Sequence, residues 1–320
     1  MTASSASPSA TRGRRGVLAP RLPRGRLGTL LAPYLFLLPG FAVFSVVLLY
    51  PIGRALQISL YDWKILPGAA SEWLGLSNYG RALHDPVFWH SLGNSAVYMA
   101  ATVPAQILLG LFVAVLLDAR MPGRALFRVL FYLPVVTSWV VVSLLFKYLF
   151  ESDAGLVNWV LRDGLGVVDH NIQWLQHRWL AMTAISILGV WKGVGWSMVI
   201  FLAALQGVPH ELREAAAIDG AGAWARFRHV SLPAIRTTIA FVVILLVIGG
   251  FNVFISVYLM TGGGPVGETE VLLTYMYRQA FEFLDFGYGS AIAFMLTGVV
   301  FALSLVQLRL FRQPEEIATQ

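Results

Sequence analysis

The chain has no cysteine in 320 residues. That excludes disulfides, thiolate metal sites and cysteine nucleophiles, and leaves the redox compartment undefined. Charge is also scarce. Asp, Glu, Lys and Arg make up 12% of the sequence, against about 25% in a soluble domain. The Gly-x-x-x-x-Gly-Lys-Ser/Thr loop that cradles nucleotide phosphates is missing, so this chain is not expected to hydrolyse ATP alone. Gly262-Gly263-Gly264 lacks the following lysine. There is no Gly-x-Ser-x-Gly nucleophile elbow. The six histidines show no close ligand pairing, and His84 and His90, on either side of Pro86, read as surface residues. The expectation is a non-enzyme that binds no metal or cofactor itself.

What is present is apolar. Hydrophobic residues are 57% of the chain and the mean hydropathy is +0.69. Several uncharged runs exceed the roughly 20 residues a helix needs to cross a bilayer. Six spans are predicted, within 30–52, 91–117, 129–150, 180–206, 237–260 and 288–308. They should be helices, because lipid offers no partner for a free backbone amide. Pro33, Pro39 and Pro104 are candidates to kink or bound them.

Basic residues set the orientation. Fifteen of the 23 Lys and Arg residues fall in segments 1–29, 118–128, 207–236 and 309–320; six fall in 53–90, 151–179 and 261–287; Lys147 and Lys192 lie within spans. This bias predicts that both termini are cytoplasmic. The +6 formal charge therefore reads as orientation, and nucleic acid is not an expected partner. The basic segment 1–29 reads as a disordered cytoplasmic tail that can also touch anionic lipid. The following apolar run is too long for a signal peptide and reads as a retained span. Residues 312–320 form a second cytoplasmic tail.

One polar segment interrupts this pattern. Glu214-Ala215-Ala216-Ala217-Ile218-Asp219-Gly220 is followed at a distance by Val230-Ser231-Leu232-Pro233. Pro209 suits the first turn of a helix, and Glu211 and Glu214 sit near its positive end. The alanines are good helix formers with little bulk, so another surface can approach closely. Gly220 and Gly222 permit a turn that other residues resist. A second short helix is expected over 223–230, ended by Pro233. By itself this could be a solvated hairpin between two spans.

The spacing E-A-A-x-x-x-G, nine residues, then aliphatic-x-Leu-Pro resembles the coupling loop of permeases of ATP-binding-cassette importers. The departure is Val230 where the pattern usually has Ile. The resemblance covers most of residues 30–311. It implies an all-α membrane permease fold of the type I importer class: six transmembrane helices, both termini inside, a core over 91–308 and a cytoplasmic coupling loop over 207–236. It further implies that Glu214, Ala215, Ala216, Asp219, Gly220, Leu232 and Pro233 dock on a separate ATPase, which uses ATP and Mg. Implied partners are a second related permease, two ATPase subunits, an extracellular solute-binding protein and the transported solute, at a bacterial plasma or inner membrane.

Other phrases narrow the branch. Tyr61-Asp62-Trp63, Gly75-Leu76-Ser77-Asn78-Tyr79, Thr261-Gly262-Gly263-Gly264-Pro265, Tyr288-Gly289-Ser290-Ala291 and Trp191-x-x-x-x-Trp196 resemble the maltose-type carbohydrate branch. Read alone, Gly-Gly-Gly-Pro is only a turn, and aromatics near span ends are interface anchors. The resemblance places Val135, Trp139, Gly189, Lys192, Gly193, Trp196, Gly250 and the Asn252-Val253 neighbourhood at pocket-lining positions. Val135, Gly189 and Val253 depart from the maltose pattern.

Lys192 also stands out on physical grounds. Twelve residues into the fourth span, it lies roughly 18 Å deep at about 1.5 Å per residue. A lysine there costs about 3 kcal/mol by insertion scales, so it should face a polar cavity or a partner. Trp196, four residues on, should share its face, with Gly189 and Gly193 leaving room for a ligand or a close helix. A Lys192–Trp196 cation–π pair that only holds helices together is the plainer alternative. Asn252 and Ser256 should share a face of the fifth span at i, i+4, for either a substrate or an interhelical hydrogen bond. Trp139, Lys192, Gly193, Trp196 and Asn252 are thus the candidate substrate residues. A phosphate solute would need several buried basic residues, and Lys192 is the only one deep in a span. An ion-coupled transporter would need intramembrane carboxylates, and every Asp and Glu falls in a loop, a tail or a span boundary. A membrane sensor would need a signalling domain. Polyols and amino acids remain alternative solutes.

Overall fold

The structure, a computed structural model, describes residues 26–65, 68, 70–119 and 122–311. The tails 1–25 and 312–320 lie outside the described residues. The chain divides into two units at Arg54. The first contains α1 (Arg26–Phe44) and a π-helical turn (Ser45–Leu49) that leads into α2 (Tyr50–Ser59). Residues 26–29, expected in the tail, are already helical. Pro33 and Pro39 sit inside α1 without ending it.

The second unit begins at Ala55. A hairpin of β1 (Tyr61–Asp62) and β2 (Glu72–Trp73) pairs Tyr61 with Trp73. Then come α3 (Ser77–His84) and α4 (Pro86–Asp118), followed by α5 (Arg124–Val136), α6 (Trp139–Leu149), α7 (Leu156–Trp159) and α8 (Arg178–Gln206). The polar loop holds α9 (His210–Ile218), α10 (Ala223–Arg226) and α11 (Leu232–Ala234). Last are α12 (Arg236–Phe251), α13 (Ile255–Met260), α14 (Leu272–Tyr277) and α15 (Phe286–Phe311).

Among the described residues five helical stretches are long and apolar enough to cross a membrane: Pro33–Ser59, Pro86–Asp118, Arg178–Gln206, Arg236–Met260 and Phe286–Phe311. The third predicted span, 129–150, is not one straight helix. α5 and α6 meet at a 95° bend. Thr137 and Ser138 are extended at the break. The β-branched run Val135-Val136-Thr137 is a poor helix former, and the Thr137 hydroxyl turns back to the Pro134 carbonyl at 2.6 Å. Such local bonds compete with the helix ladder.

The fifth span also differs from expectation. α12 stops at Phe251 and α13 restarts at Ile255. Asn252 and Ser256 therefore do not share a helical face: Asn252 is exposed and Ser256 is buried. The Asn252 amide donates instead to the Ile248 carbonyl at 2.8 Å.

α4 and α8 form the most extensive helix pair. At about 1.5 Å per residue, their 33 and 29 residues exceed the roughly 30 Å hydrocarbon core. Their contact depends on small residues. A Cβ on Gly110 of α4 would lie 2.7 Å from Ser197 Cβ of α8, and one on Gly189 would lie 2.2 Å from the Tyr98 hydroxyl. Small residues are the usual means of close packing in membrane helices, where hydrophobicity alone gives no preference for protein over lipid.

Candidate functional site

The break between α5 and α6 leaves carbonyls without helical partners. Lys192, 3% exposed, satisfies them. Its ammonium donates to the Pro134 carbonyl at 2.8 Å and the Thr137 carbonyl at 2.7 Å. The Val135 carbonyl and the Thr137 hydroxyl lie farther off, each at 3.4 Å. A cation at a helix C-terminus meets both the orphan carbonyls and the negative end of the dipole. The same ammonium lies 4.9 Å from the centre of the Trp139 ring, at the start of α6. The cation–π partner is therefore Trp139, from the other side of the break, and not Trp196.

Beside this junction is a cavity of about 200 Å³ lined by Gln106, Val135, Trp139, Lys192, Gly193, Trp196 and Leu246. Four of the five candidate substrate residues, Trp139, Lys192, Gly193 and Trp196, thus come together. The fifth, Asn252, does not. It borders a different cavity of about 410 Å³ with Leu273, Thr297 and Ser304. Gly189 faces Tyr98 and Gly250 faces Met99, so both serve close helix contact. Val253 is buried in the core. Gly193 is small for a visible reason, since a Cβ there would lie 1.9 Å from Gln106 Oε1.

Gln106 and Leu246 are the lining residues that the sequence reading missed, and of these Gln106 is the polar one. Its signal was a lone amide inside an otherwise apolar run of α4. The cavity thus combines two indole side chains, one side-chain amide and an ammonium whose donors are largely committed to carbonyls. Such a surface suits a polar, uncharged ligand with an apolar face.

The second site is the polar loop. α9 carries Glu214, Ala215 and Ala216 and ends at Ile218, followed by Asp219. Gly220 takes φ +82°, the left-handed conformation that favours glycine. The Ala221 amide returns to the Ala216 carbonyl at 2.9 Å and the Gly220 amide to Ala217 at 3.1 Å. This pair of bonds is the Schellman arrangement that closes a helix. Glu214, Ala215, Asp219 and Gly220 are exposed, while Ala216 and Leu232 are half-buried.

Pro233 does not end the second short helix. α10 continues through a π turn (Phe227–Ser231) into α11, which contains Pro233 in its first turn, and the break comes at Ile235. A proline's missing N–H is harmless in a first turn. Exposed apolar groups were also missed. Leu212, Ile218 and Trp224 are 53%, 87% and 69% exposed, giving the loop an uncovered apolar surface.

Residues 106–313 match the family described as binding-protein-dependent transport system inner membrane component. The chain is 36% identical over 278 residues to the lactose transport system permease protein LacF of Rhizobium radiobacter, covering 86% of this chain and 92% of the relative. It is 34% identical over 281 residues to the arabinooligosaccharides transport system permease protein AraP of Halalkalibacterium halodurans, covering 87% of each. Among solved structures it resembles a chain of a bacterial ABC transporter involved in import of the acidic polysaccharide alginate. That TM-score is 0.79 at 21% identity, with 91% of this chain and 99% of the other covered. At that identity the match concerns the fold.

Proposed function

Because this chain belongs to the family of binding-protein-dependent transport system inner membrane components, a multi-pass membrane family, we propose that it is a permease subunit of an ATP-driven carbohydrate importer. The observation that carries the carbohydrate reading is the cavity walled by Trp139 and Trp196 beside Gln106. Indole faces suit the C–H face of a sugar ring, and an amide serves its hydroxyls as donor and acceptor. The relatives named for lactose and arabinooligosaccharides support the same class.

The cavity, at about 200 Å³, is smaller than the roughly 300–1,000 Å³ of ligand pockets. Half a site, completed by a second permease, accounts for that size. The chain acts without catalytic residues or a bound cofactor of its own. An extracellular binding protein delivers the sugar, and ATP and Mg act on two partner ATPase subunits. The loop of Glu214, Ala215, Ala216, Asp219, Gly220, Leu232 and Pro233 docks there, with Leu212, Ile218 and Trp224 as apolar contacts. Closure of the ATPases moves the loop, and the helices alternate between outward and inward openings.

The test is substrate protection. A cysteine at Leu246 would be labelled in the assembled complex against lactose, an arabino-oligosaccharide and glycerol 3-phosphate. Protection by a neutral sugar is expected. Protection by the phosphate alone would overturn the carbohydrate assignment.

A further inference from the structure

Arg213 does not take part in the exposed docking surface. It points back from α9, with its side chain only 22% exposed. Its Nη1 pairs with Asp118 Oδ2 at 2.8 Å, and its Nη2 donates to the Leu205 carbonyl. Asp118 is the last residue of α4 and Leu205 lies in the last turn of α8. One guanidinium therefore joins the docking helix to the ends of both long helices. Its rigid fork suits two acceptors at once, which an ammonium on a flexible stem does not match.

The far end of the same helix pair is also fastened. Arg178, the first residue of α8, donates to Asn94 of α4 at 2.8 Å. Asn94 in turn donates to the carbonyls of Glu268 and Glu270, at 2.8 and 2.7 Å, in the segment before α14. Between these ends Gly110 of α4 lies against the backbone of α8, and Gly189 of α8 lies against the Tyr98 and Thr102 side chains of α4. α8 also carries Lys192, which grips the α5–α6 break beside the cavity. Two helices tied at both ends and close-packed between move as one body.

We propose that Arg213 is the positioning residue that transmits movement of the docking helix to the α4–α8 pair, and through Lys192 to the cavity. The proposal rests on the coupling role given to this loop above. Removing the clamp should leave α9 able to engage the ATPase but free to move without carrying α4 and α8. Opening of the cavity should then lose its dependence on nucleotide.

The experiment uses the assembled complex in proteoliposomes, with MgATP and vanadate sealed on the cytoplasmic side. A cysteine at Val135, in the cavity wall, is labelled from outside by an impermeant thiol reagent. The readout is the labelling rate in the trapped state divided by the rate without nucleotide. In the otherwise native complex trapping should raise labelling. With Arg213→Met the ratio should fall by about fivefold or more, at or above the lower end of couplings between linked sites. The amount of vanadate-trapped nucleotide should persist. Arg213→Lys should restore part of the ratio through Asp118, and Asp118→Asn should be intermediate.

An unchanged ratio in Arg213→Met, with normal assembly, would overturn the clamp. So would loss of assembly in both Arg213→Met and Asp118→Asn, which would make the pair a folding contact. If trapping fails to change labelling in the otherwise native complex, the coupling role itself falls.

Discussion

Lys192 Nζ donates to the Thr137 carbonyl at 2.7 Å, joining the buried middle of one membrane helix to the break in another. A lysine deep in a span was expected to meet a ligand or a partner. It meets helix carbonyls, with the Trp139 ring over it. Lys192→Met keeps most of the stem and removes the donors. The Pro134 carbonyl keeps its bond from the Thr137 hydroxyl, but the Thr137 carbonyl loses its donor, and an acceptor left without a partner costs about 1–3 kcal/mol. The complex should therefore melt at lower temperature, with apparent substrate affinity little changed in what assembles. Normal melting with a raised KM would show the ammonium to be a ligand for the solute.

Trp139 and Trp196 line the same cavity. Trp139 is 40% exposed, so its removal disturbs little packing. Trp139→Ala should raise the KM for uptake by about tenfold, equal to some 1.4 kcal/mol of lost binding. Trp139→Phe should recover much of it by keeping an apolar face. Uptake with unchanged KM in Trp139→Ala would remove the ring from the site.

The spans were legible in the sequence because lipid requires long apolar helices, and five of six are continuous or nearly so. The breaks were not. Nothing in the apolar run 129–150 shows that Thr137 and Ser138 turn outward, because the partner stabilising the turn is Lys192, more than fifty residues on. Asn252 was misplaced for a similar reason, since i, i+4 arithmetic assumes an unbroken helix. The helix and turn of the polar loop were readable from its alanine and glycine spacing. Arg213 was not, because its meaning lies in Asp118 and Leu205, which the fold brings to it.

Topology can be tested directly, since no native cysteine interferes. Ala223 is exposed in the docking loop and Val266 is fully exposed before α14. With the charge bias placing the loop inside, intact cells treated with an impermeant thiol reagent should label Val266→Cys and spare Ala223→Cys. The reverse pattern would invert the orientation and remove the loop from the ATPase side.

Gly220 has open space around it, so bulk alone would not clash there. Its φ of +82° is the constraint. A β-branched residue in that conformation costs about 1–3 kcal/mol. Gly220→Val should distort the end of α9 and lower uptake sharply, with the subunit still in the membrane. Gly220→Asn, which tolerates the left-handed region, should keep most activity. Equal loss in both variants would show that the glycine is needed for close contact with the ATPase and not for its backbone.

Asp85 gives the clearest dependence on pH. It caps α4 by accepting from the Val87 amide at 2.8 Å, and its other oxygen accepts from Tyr275 and, at 2.6 Å, from Tyr288. Burial alone would push this carboxyl up. The hydrogen bonds from Tyr275, Tyr288 and the amides of Val87 and Phe88 outweigh it and hold the carboxyl below the ordinary value. Burial and the bond to Asp85 push the Tyr275 phenol up to about 12. A carboxyl depressed on folding contributes stability that is fully present above its unfolded value, near about 3.9. That contribution is lost as pH falls through the lower folded value. Hydrogen bonds to a charged group are worth about 1.5–3 kcal/mol each, so Asp85→Asn should lower the melting temperature clearly at neutral pH. The gap between the native chain and Asp85→Asn should stay constant from about pH 7 to about pH 5 and close only in stronger acid. A gap that instead closes between pH 7 and pH 5 would mean that burial, and not the tyrosine hydroxyls, governs this carboxyl.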